Sequence, residues 1–484
     1  MAVTTLPDLQ AAPDRLVRGL GLFSATNLVV ANMVGAGIFT TSGLLLGELG
    51  SPLIMLALWA GGGVLALAGA LCYGELGAAM PSAGGEYVYL GRLFHPVLGF
   101  LSGWVSFLVG FSAPLAASAL GCSAYFASAF PFLLPSDSGA LARKLFAILL
   151  VVSLTAVHLR GMRTGARVQN VLTAGKVLLI ITLILAGAAW GQGNLGHLTI
   201  DAGGAATGSE HPSLTWQTMG LALMWIMFAY SGWNASAYVG SEIRDPARNL
   251  PRSLLAGTAL VLTLYVGLNI LFVYAVPPAE MSGVIAVGGL AAQHLFGDAA
   301  RAVFSGLIAF ALLSSISALI ILGPRVYYAM ARDGYFFRAV AEVQPKTRVP
   351  AKSIALQSLI AVVLILSGTF EQILTYMGFC LGIFPILAVL GIFRLRRRAT
   401  PPFRTPGFPV VPIFFATASV LMLGLAFQER PVESSIAILT VAAGLPFYLL
   451  FSRSRRARLA AGSAQIPVEP NAGGSDSSIM GGPS

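Results

Sequence analysis

Twelve stretches of this chain are apolar over roughly the 20 residues a helix needs to cross the hydrocarbon of a bilayer, and few soluble architectures would accommodate so many. They fall at residues 20–47, 52–79, 96–130, 142–158, 168–190, 215–241, 253–276, 299–331, 353–369, 372–394, 409–428 and 434–452. Of the 484 residues, 56% are hydrophobic and 10% charged, whereas a soluble domain is about one quarter charged. Too few charges remain to coat separate soluble domains, so one lipid-solvated bundle accounts for both length and composition. The expected fold class is an all-α membrane protein of about twelve transmembrane helices over residues 20–458. A cytoplasmic segment, 1–19, precedes it, and a Gly/Ser/Pro-rich tail at 459–484, expected to be disordered, follows. The amphipathic stretch 285–297 is too short to span and is expected at an external surface.

The formal net charge of +10 raises nucleic acid as a partner, but the placement of the basic residues argues against it. Assigned to alternate loops, the arginines and lysines collect on the side that holds both termini, as in Arg160, Arg163, Arg167, Arg244, Arg248 and Arg252. Arg143, Lys144, Arg301 and Arg430 fall on the other side. The positive-inside rule then puts both termini in the cytoplasm of a cell that carries the protein in its inner (plasma) membrane. The cluster Arg394, Arg396, Arg397 and Arg398 reads as a topology anchor. Cys72, Cys122 and Cys380 lie in apolar stretches without CxxC or histidine-linked spacing, so neither a disulfide framework nor a metal site is expected. No P-loop is present, and no cofactor is implied.

Two spans are interrupted in their middles. The first carries VGAGIF at 34–39 and the sixth FAYSGWN at 228–234. Each opens a set of five spans, residues 20–190 and 215–394, with two extra helices at 409–452; paired interruptions in corresponding positions mark the substrate site of transporters built from inverted repeats. Glycine suits an unwound turn because it tolerates unusual backbone angles and close ligand approach. Backbone groups freed at such a depth are tolerated where they line a protected cavity. Amides around Ala36, Gly37 and Ile38, at the positive end of a half-helix, suit a carboxylate. Carbonyls expected to be unpaired at Met33, Phe228, Ala229 and Ser231 suit an ammonium. Together they describe a site for an α-amino acid zwitterion. The competing reading makes Gly35 and Gly37 packing glycines, as Gly99 and Gly103 are expected to be. Among the polar residues nearby, Asn234 is the stronger candidate for a ligand contact, because an unpaired amide at this depth is costly.

These residues resemble the amino acid–polyamine–organocation (APC) superfamily, and within it the L-type amino acid transporters and their bacterial relatives. The resemblance rests on VGAGIF at 34–39, YGELGAAMPSAGGEYVYL at 73–90, FAYSGWNASAYVGSEIRDPARNLPRSL at 228–254 and RVYYAMARDGYFF at 325–337. It implies a LeuT-type 5+5 inverted repeat plus two further helices. It also implies a carboxylate-binding turn at Gly35, Ala36 and Gly37, ammonium-binding carbonyls at Met33, Phe228, Ala229 and Ser231, and a gate at Phe228. Two departures stand out: Ala36 replaces a serine common in relatives, and Ser231 replaces the glycine of the L-type pattern.

Lys176 lies within a span, where inserting such a charge costs about 2.5–3.5 kcal/mol at the centre. That cost makes it functional unless it snorkels to a membrane surface. The resemblance implies that a lysine here substitutes for a sodium ion between the first, fifth and eighth spans, and its buried ammonium is a candidate for proton exchange. Glu75, Glu86 and Glu242 are each expected near span ends, as proton carriers or as partners of arginines.

The expected function is sodium-independent secondary transport of amino acids, neutral L-amino acids in particular, by exchange or proton coupling through alternating access. The alternative is a cationic amino acid or polyamine transporter, which needs an acid near mid-membrane that the sequence does not reveal. A membrane enzyme or sensor is remote, because no paired-carboxylate or Ser-His-Asp arrangement lies within the spans. The loop at 131–141 lacks a cysteine of the kind animal L-type transporters use to join a heavy subunit, so no disulfide-linked partner is expected.

Overall fold

The computed structural model describes residues 16–130, 132–133, 140–200, 214–284, 287–367 and 370–463. They form a helical bundle without named strands; the only β-bridges among the described residues are Leu20 with Ile243 and Ala83 with Val239. The first span is two helices, α1 (Leu22–Met33) and α2 (Ala36–Leu49), followed by α3 (Pro52–Ala79) and a short α4 (Glu86–Leu93). The third span is α5 (Pro96–Val105) and α6 (Ser112–Ala129), joined by a π-helical turn at Ser106–Gly110. Then come α7 (Ala140–Leu159), α8 (Met162–Trp190), α9 (Trp216–Ala229), α10 (Ala235–Tyr238) and α11 (Pro246–Ala275). The chain continues through α12 (Pro278–Met281), α13 (Val287–Phe296), α14 (Asp298–Arg332), α15 (Ala351–Ser367), α16 (Phe370–Arg398), α17 (Val410–Glu429) and α18 (Pro431–Ser463).

Among the described residues, ten helical spans are long and apolar enough to cross a membrane, and the shorter apolar helices at Trp216–Ala229 and Ala351–Leu366 bring the set to the twelve expected. Several helices start at proline, which forfeits no hydrogen bond in a first turn and arrives with helical φ: Pro52 opens α3, Pro96 opens α5 and Pro246 opens α11. At α5 the His95 ring adds a cap, its Nδ1 accepting from the Val97 N–H at 3.2 Å. The π-turn before α6 has a local cause. Pro114 has no N–H to offer the Gly110 carbonyl, and its ring crowds the preceding turn.

Burial sorts the bundle into centre and rim. Helices α11 and α3 pack together, as do α14 with α6, α1 with α11 and α17 with α9. Val171, Leu178 and Leu185 on α8 and Leu439 and Leu450 on α18 are exposed, which suits lipid rather than water.

At the arginine-rich end the loops lock together. The Gly19 and Leu20 amides both donate to the Glu242 carbonyl at 2.9 Å, and the Arg244 amide donates to the Leu20 carbonyl at 2.9 Å. Arg325 forms a two-point ion pair with Glu242 at 2.8 and 3.1 Å. Arg396 does the same with Glu75 at 2.7 and 2.8 Å, and the Thr405 amide donates to the same carboxylate at 2.7 Å. Two of the three candidate acids are therefore arginine partners.

Three expectations need correction. Helix α8 begins at Met162, not near 168, because Gly161, at φ 129°, ends the preceding turn. The sixth span is not helical to 241: α10 is four residues long and a 3₁₀ turn follows at Gly240–Glu242. The stretch near 285–297 is the ten-residue helix α13, which buries Val287, Ala291, Ala292 and Leu295 against the bundle. The last helix continues to Ser463, past the expected start of the tail at 459, while residues 464–484 lie outside the described residues.

Candidate functional site

Both breaks open onto one cavity of about 130 Å³, walled by α1, α2, α9 and the irregular segment 230–234, with contributions from α5, α6, α14, α16 and α17. Met33, Gly35, Ala36, Gly37, Phe228, Ala229, Ser231 and Asn234 all line it. Ile38 does not: its side chain is fully buried in the core, so its part is confined to its backbone.

The two breaks are built differently. In the first span, Val34 and Gly35 leave the helix and α2 restarts at Ala36. Gly35 is extended, at φ −112° and ψ −156°, a conformation open to any residue; the unusual backbone angle expected in this turn is absent. What glycine supplies here is space. A Cβ at Gly35 would meet nothing closer than the Met33 carbonyl oxygen at 3.9 Å, whereas one at Gly37 would lie 2.9 Å from the Ala229 Cα. Gly37 thus lets the two broken spans touch. The positive φ sits in the other break, at Gly232 (φ 100°), where a Cβ would also collide with Asn32.

Ala36, Gly37 and Ile38 occupy the first positions of α2, so their amides have no acceptor within the helix, and Gly35 supplies no side-chain cap. Three free N–H groups at a helix N-terminus favour an anion.

The carbonyls expected to be unpaired are a correction. Met33 accepts from the Gly35 amide at 2.8 Å, and Phe228 accepts from the Ser231 amide at 2.9 Å. The buried Tyr265 hydroxyl, on α11, lies 2.6 Å from the Met33 carbonyl oxygen and 3.0 Å from that of Ala229. One hydroxyl proton serves both carbonyls, so Tyr265 ties the breaks together and leaves acceptor capacity on each oxygen. Sequence reading did not find Tyr265, since nothing in its surroundings on α11 announces contact with two distant spans.

Lys176 is fully buried on α8. Its ammonium donates to the Val34 carbonyl at 2.5 Å, the Ser315 hydroxyl at 2.8 Å and the Ala31 carbonyl at 3.3 Å. The Ser315 hydroxyl in turn donates to the Val34 carbonyl at 2.6 Å. All three ammonium protons have acceptors, drawn from α1, its break and α14. Burial at this depth excludes the snorkelling alternative.

Glu86 is the third candidate acid, and it departs from the other two. It lines the cavity and has no arginine partner among the described residues. Its Oε1 accepts from Tyr73 at 2.8 Å, Asn234 at 2.8 Å and Tyr238 at 3.1 Å. An acid expected near a span end thus borders the very cavity in which the sequence revealed none. Because a carboxylate only accepts, the Asn234 amide nitrogen is held against Glu86, which turns the Asn234 Oδ1 away from it.

Paired broken helices around one cavity inside a bundle of apolar spans are the arrangement found in membrane transporters built from inverted repeats. Residues 20–446 match the amino acid permease family model, and the chain belongs to that family. It is 30% identical over 449 residues to the b(0,+)-type amino acid transporter 1 of Mus musculus, covering 90% of this chain and 88% of that one. It is 29% identical over 459 residues to the large neutral amino acids transporter small subunit 2 of Rattus norvegicus, with 92% and 84% covered. The serine/threonine exchanger SteT of Bacillus subtilis (strain 168) is 29% identical over 442 residues, with 90% and 96% covered. The chain is a multi-pass membrane protein that transports amino acids.

Proposed function

We propose that this protein exchanges neutral L-amino acids without sodium, by alternating access at the cavity between the two breaks. The observation that carries the reading is the juxtaposition of uncapped amides at Ala36, Gly37 and Ile38 with the irregular segment at 230–234. The substrate carboxylate takes the amides, and its ammonium takes remaining acceptor capacity on the carbonyls of Met33, Phe228, Ala229 and Ser231. The Asn234 Oδ1 is a further acceptor. Phe228, partly buried at the cavity wall, closes over the substrate.

Lys176 fills the place of a coupling cation. Its ammonium is covalently attached, so the contact between α8, the first break and α14 forms without an ion having to bind. The similarity to a serine/threonine exchanger and to a large neutral amino acids transporter supports neutral substrates, as does an uncharged Ser231 at the break. The arrangement divides into repeats at 20–190 and 215–394, with 409–452 outside them. The arginine-rich loops face the cytoplasm of a cell whose inner membrane holds the chain, and the protein works without a disulfide-linked heavy subunit.

Uptake of a panel of radiolabelled amino acids into sodium-free proteoliposomes, with and without internal amino acid, tests the reading. Neutral L-amino acids should enter severalfold faster against internal amino acid. Uptake confined to arginine, lysine or polyamines would replace it with the cationic alternative.

A further inference from the structure

Three carboxylates are fully or nearly buried among the described residues, and two of them are neutralised by arginine: Glu75 by Arg396 and Glu242 by Arg325. Glu86 is held by neutral donors alone. Tyr73, Tyr238 and Asn234 all converge on one of its oxygens, Oε1, which leaves Oε2 to meet the cavity. Ser102, on α5, lines the same cavity with its buried hydroxyl beside the Glu86 carboxyl, a fourth uncharged donor. The result is a niche of uncharged donors around an acid with no fixed counter-charge among the described residues.

We propose that Glu86 is a proton-binding site of the transport cavity, so that net movement of a neutral amino acid is accompanied by a proton. This rests on the transport reading above and adds a coupled ion to it. The proton comes from water in the cavity, adds to the carboxyl oxygen that the three donors leave free, and returns to water when the cavity opens to the other side. One positive charge then accompanies each zwitterion.

The surroundings of Glu86 contain nothing that fixes its charge. Tyr73 of α3 and Tyr238 of α10 point their hydroxyls at it, and α5 contributes the uncharged Ser102. On its own helix stand Tyr89, whose buried hydroxyl has no partner, and Arg92, whose guanidinium is 3.4 Å from the Ser82 hydroxyl. Just past α14, Asp333 accepts from Tyr87 at 2.7 Å. From α16, Arg394 and Arg398 donate to the Leu93 and Arg92 carbonyls at 3.3 and 3.2 Å, about two turns away along α4. Burial pushes the Glu86 carboxyl up from its ordinary value, and its donors pull it back. Two opposing effects of this kind make its protonation sensitive to hydration, which changes when a cavity opens.

The test uses the full chain in sodium-free proteoliposomes, with uptake of a neutral amino acid measured under an inward proton gradient and without one. The wild type should respond to the gradient severalfold and should be accelerated by a negative interior potential. E86Q should lose the response, read as the ratio of its own uptake with and without the gradient, while E86D keeps it. Y73F and Y238F each remove a donor that favours the anion, so each should move the midpoint of the pH response to higher pH; these variants serve if E86Q does not fold. A wild type indifferent to the gradient, an E86Q protein that responds as wild type does, or unmoved midpoints in both tyrosine variants would overturn the proposal. Gradient-free exchange separates the two readings. Intact exchange with no proton response removes only the coupling, whereas no exchange of any amino acid removes the transport reading itself.

Discussion

The ammonium of Lys176 lies 2.5 Å from the carbonyl oxygen of Val34, the residue at which the first span stops being helical. A carbonyl freed by a helix break is thereby paired by a charge from another helix. A buried ammonium is costly unless its protons are matched, and here each has an acceptor. Charge and break therefore stabilise one another, and neither is expected to survive the loss of its partner.

Replacing sodium by choline or potassium should leave wild-type transport unchanged, because no mobile ion completes this contact. Lys176→Ala takes the ammonium from the Ala31 carbonyl, leaves the Val34 carbonyl to the Ser315 hydroxyl alone and opens a cavity. Substrate affinity or turnover should fall by at least tenfold, equivalent to about 1.4 kcal/mol. Uptake at several sodium concentrations for both proteins is the measurement. Strict sodium dependence of the wild type, or normal kinetics in the variant, would return Lys176 to a packing role.

The two glycines of the first break should separate under substitution. Gly37→Ala places a methyl 2.9 Å from Ala229, so the broken spans must move apart and transport should fall by an order of magnitude or more. Gly35→Ala makes only an ordinary contact with the Met33 carbonyl oxygen, so the folded protein should persist at wild-type levels while KM rises as the methyl intrudes on the substrate. Thermal stability and uptake, measured on both variants, check the contrast; equal behaviour of the two would sink it.

Much of this site was legible because its causes are local. An apolar run of fixed length marks a span, a glycine pair in mid-run marks a break, and one lysine in an apolar run marks a paid-for charge. The first amides of α2 followed from the break alone. What remained hidden depends on neighbours distant in sequence. Tyr265 reaches Met33 and Ala229 from another span, so the occupancy of those carbonyls was invisible, and the four expected to be free were overcounted. Glu86 looked like Glu75 and Glu242 in sequence, each an acid near a span end; only packing decides which acid meets an arginine and which meets the cavity. The π-turn at Ser106–Gly110 had a local signal in Pro114, which the apolar pattern masked.

Phe228 should act on turnover more than on binding. Its ring borders the cavity close to Gly37, and removing it takes away a cover, while the backbone groups that hold the zwitterion stay. Phe228→Ala should cut the rate of exchange about tenfold with a change in Kd of no more than about threefold. Equilibrium binding and exchange assays on the same preparation decide it, and an unchanged turnover would take Phe228 out of the gate.

All three cysteines are buried, and Cys380, on α16, is the one of them that lines the cavity. A small thiol-reactive methanethiosulfonate should reach it as the cavity opens during transport and inactivate the protein, with saturating substrate slowing inactivation severalfold. Cys380→Ser should resist the reagent. Inactivation of that variant at the wild-type rate would show that the cavity is not where the reagent acts.

The pair of Glu242 and Arg325 offers a test of the arginine-rich end as a structural lock. Both side chains are buried, at 0% and 3% exposure, and Glu242 also receives the Gly19 and Leu20 amides on its backbone carbonyl. Removing one member of such a pair leaves an uncompensated buried charge, typically at a cost of about 3–5 kcal/mol. Glu242→Ala and Arg325→Ala should each lower thermal stability markedly. The double variant strands no charge, so it should be destabilised by clearly less than the two single losses combined. Its stability in detergent, compared with both single variants across salt concentrations, supplies the measurement. Losses that simply add would mean that the two side chains act independently and that the contact between them holds nothing closed.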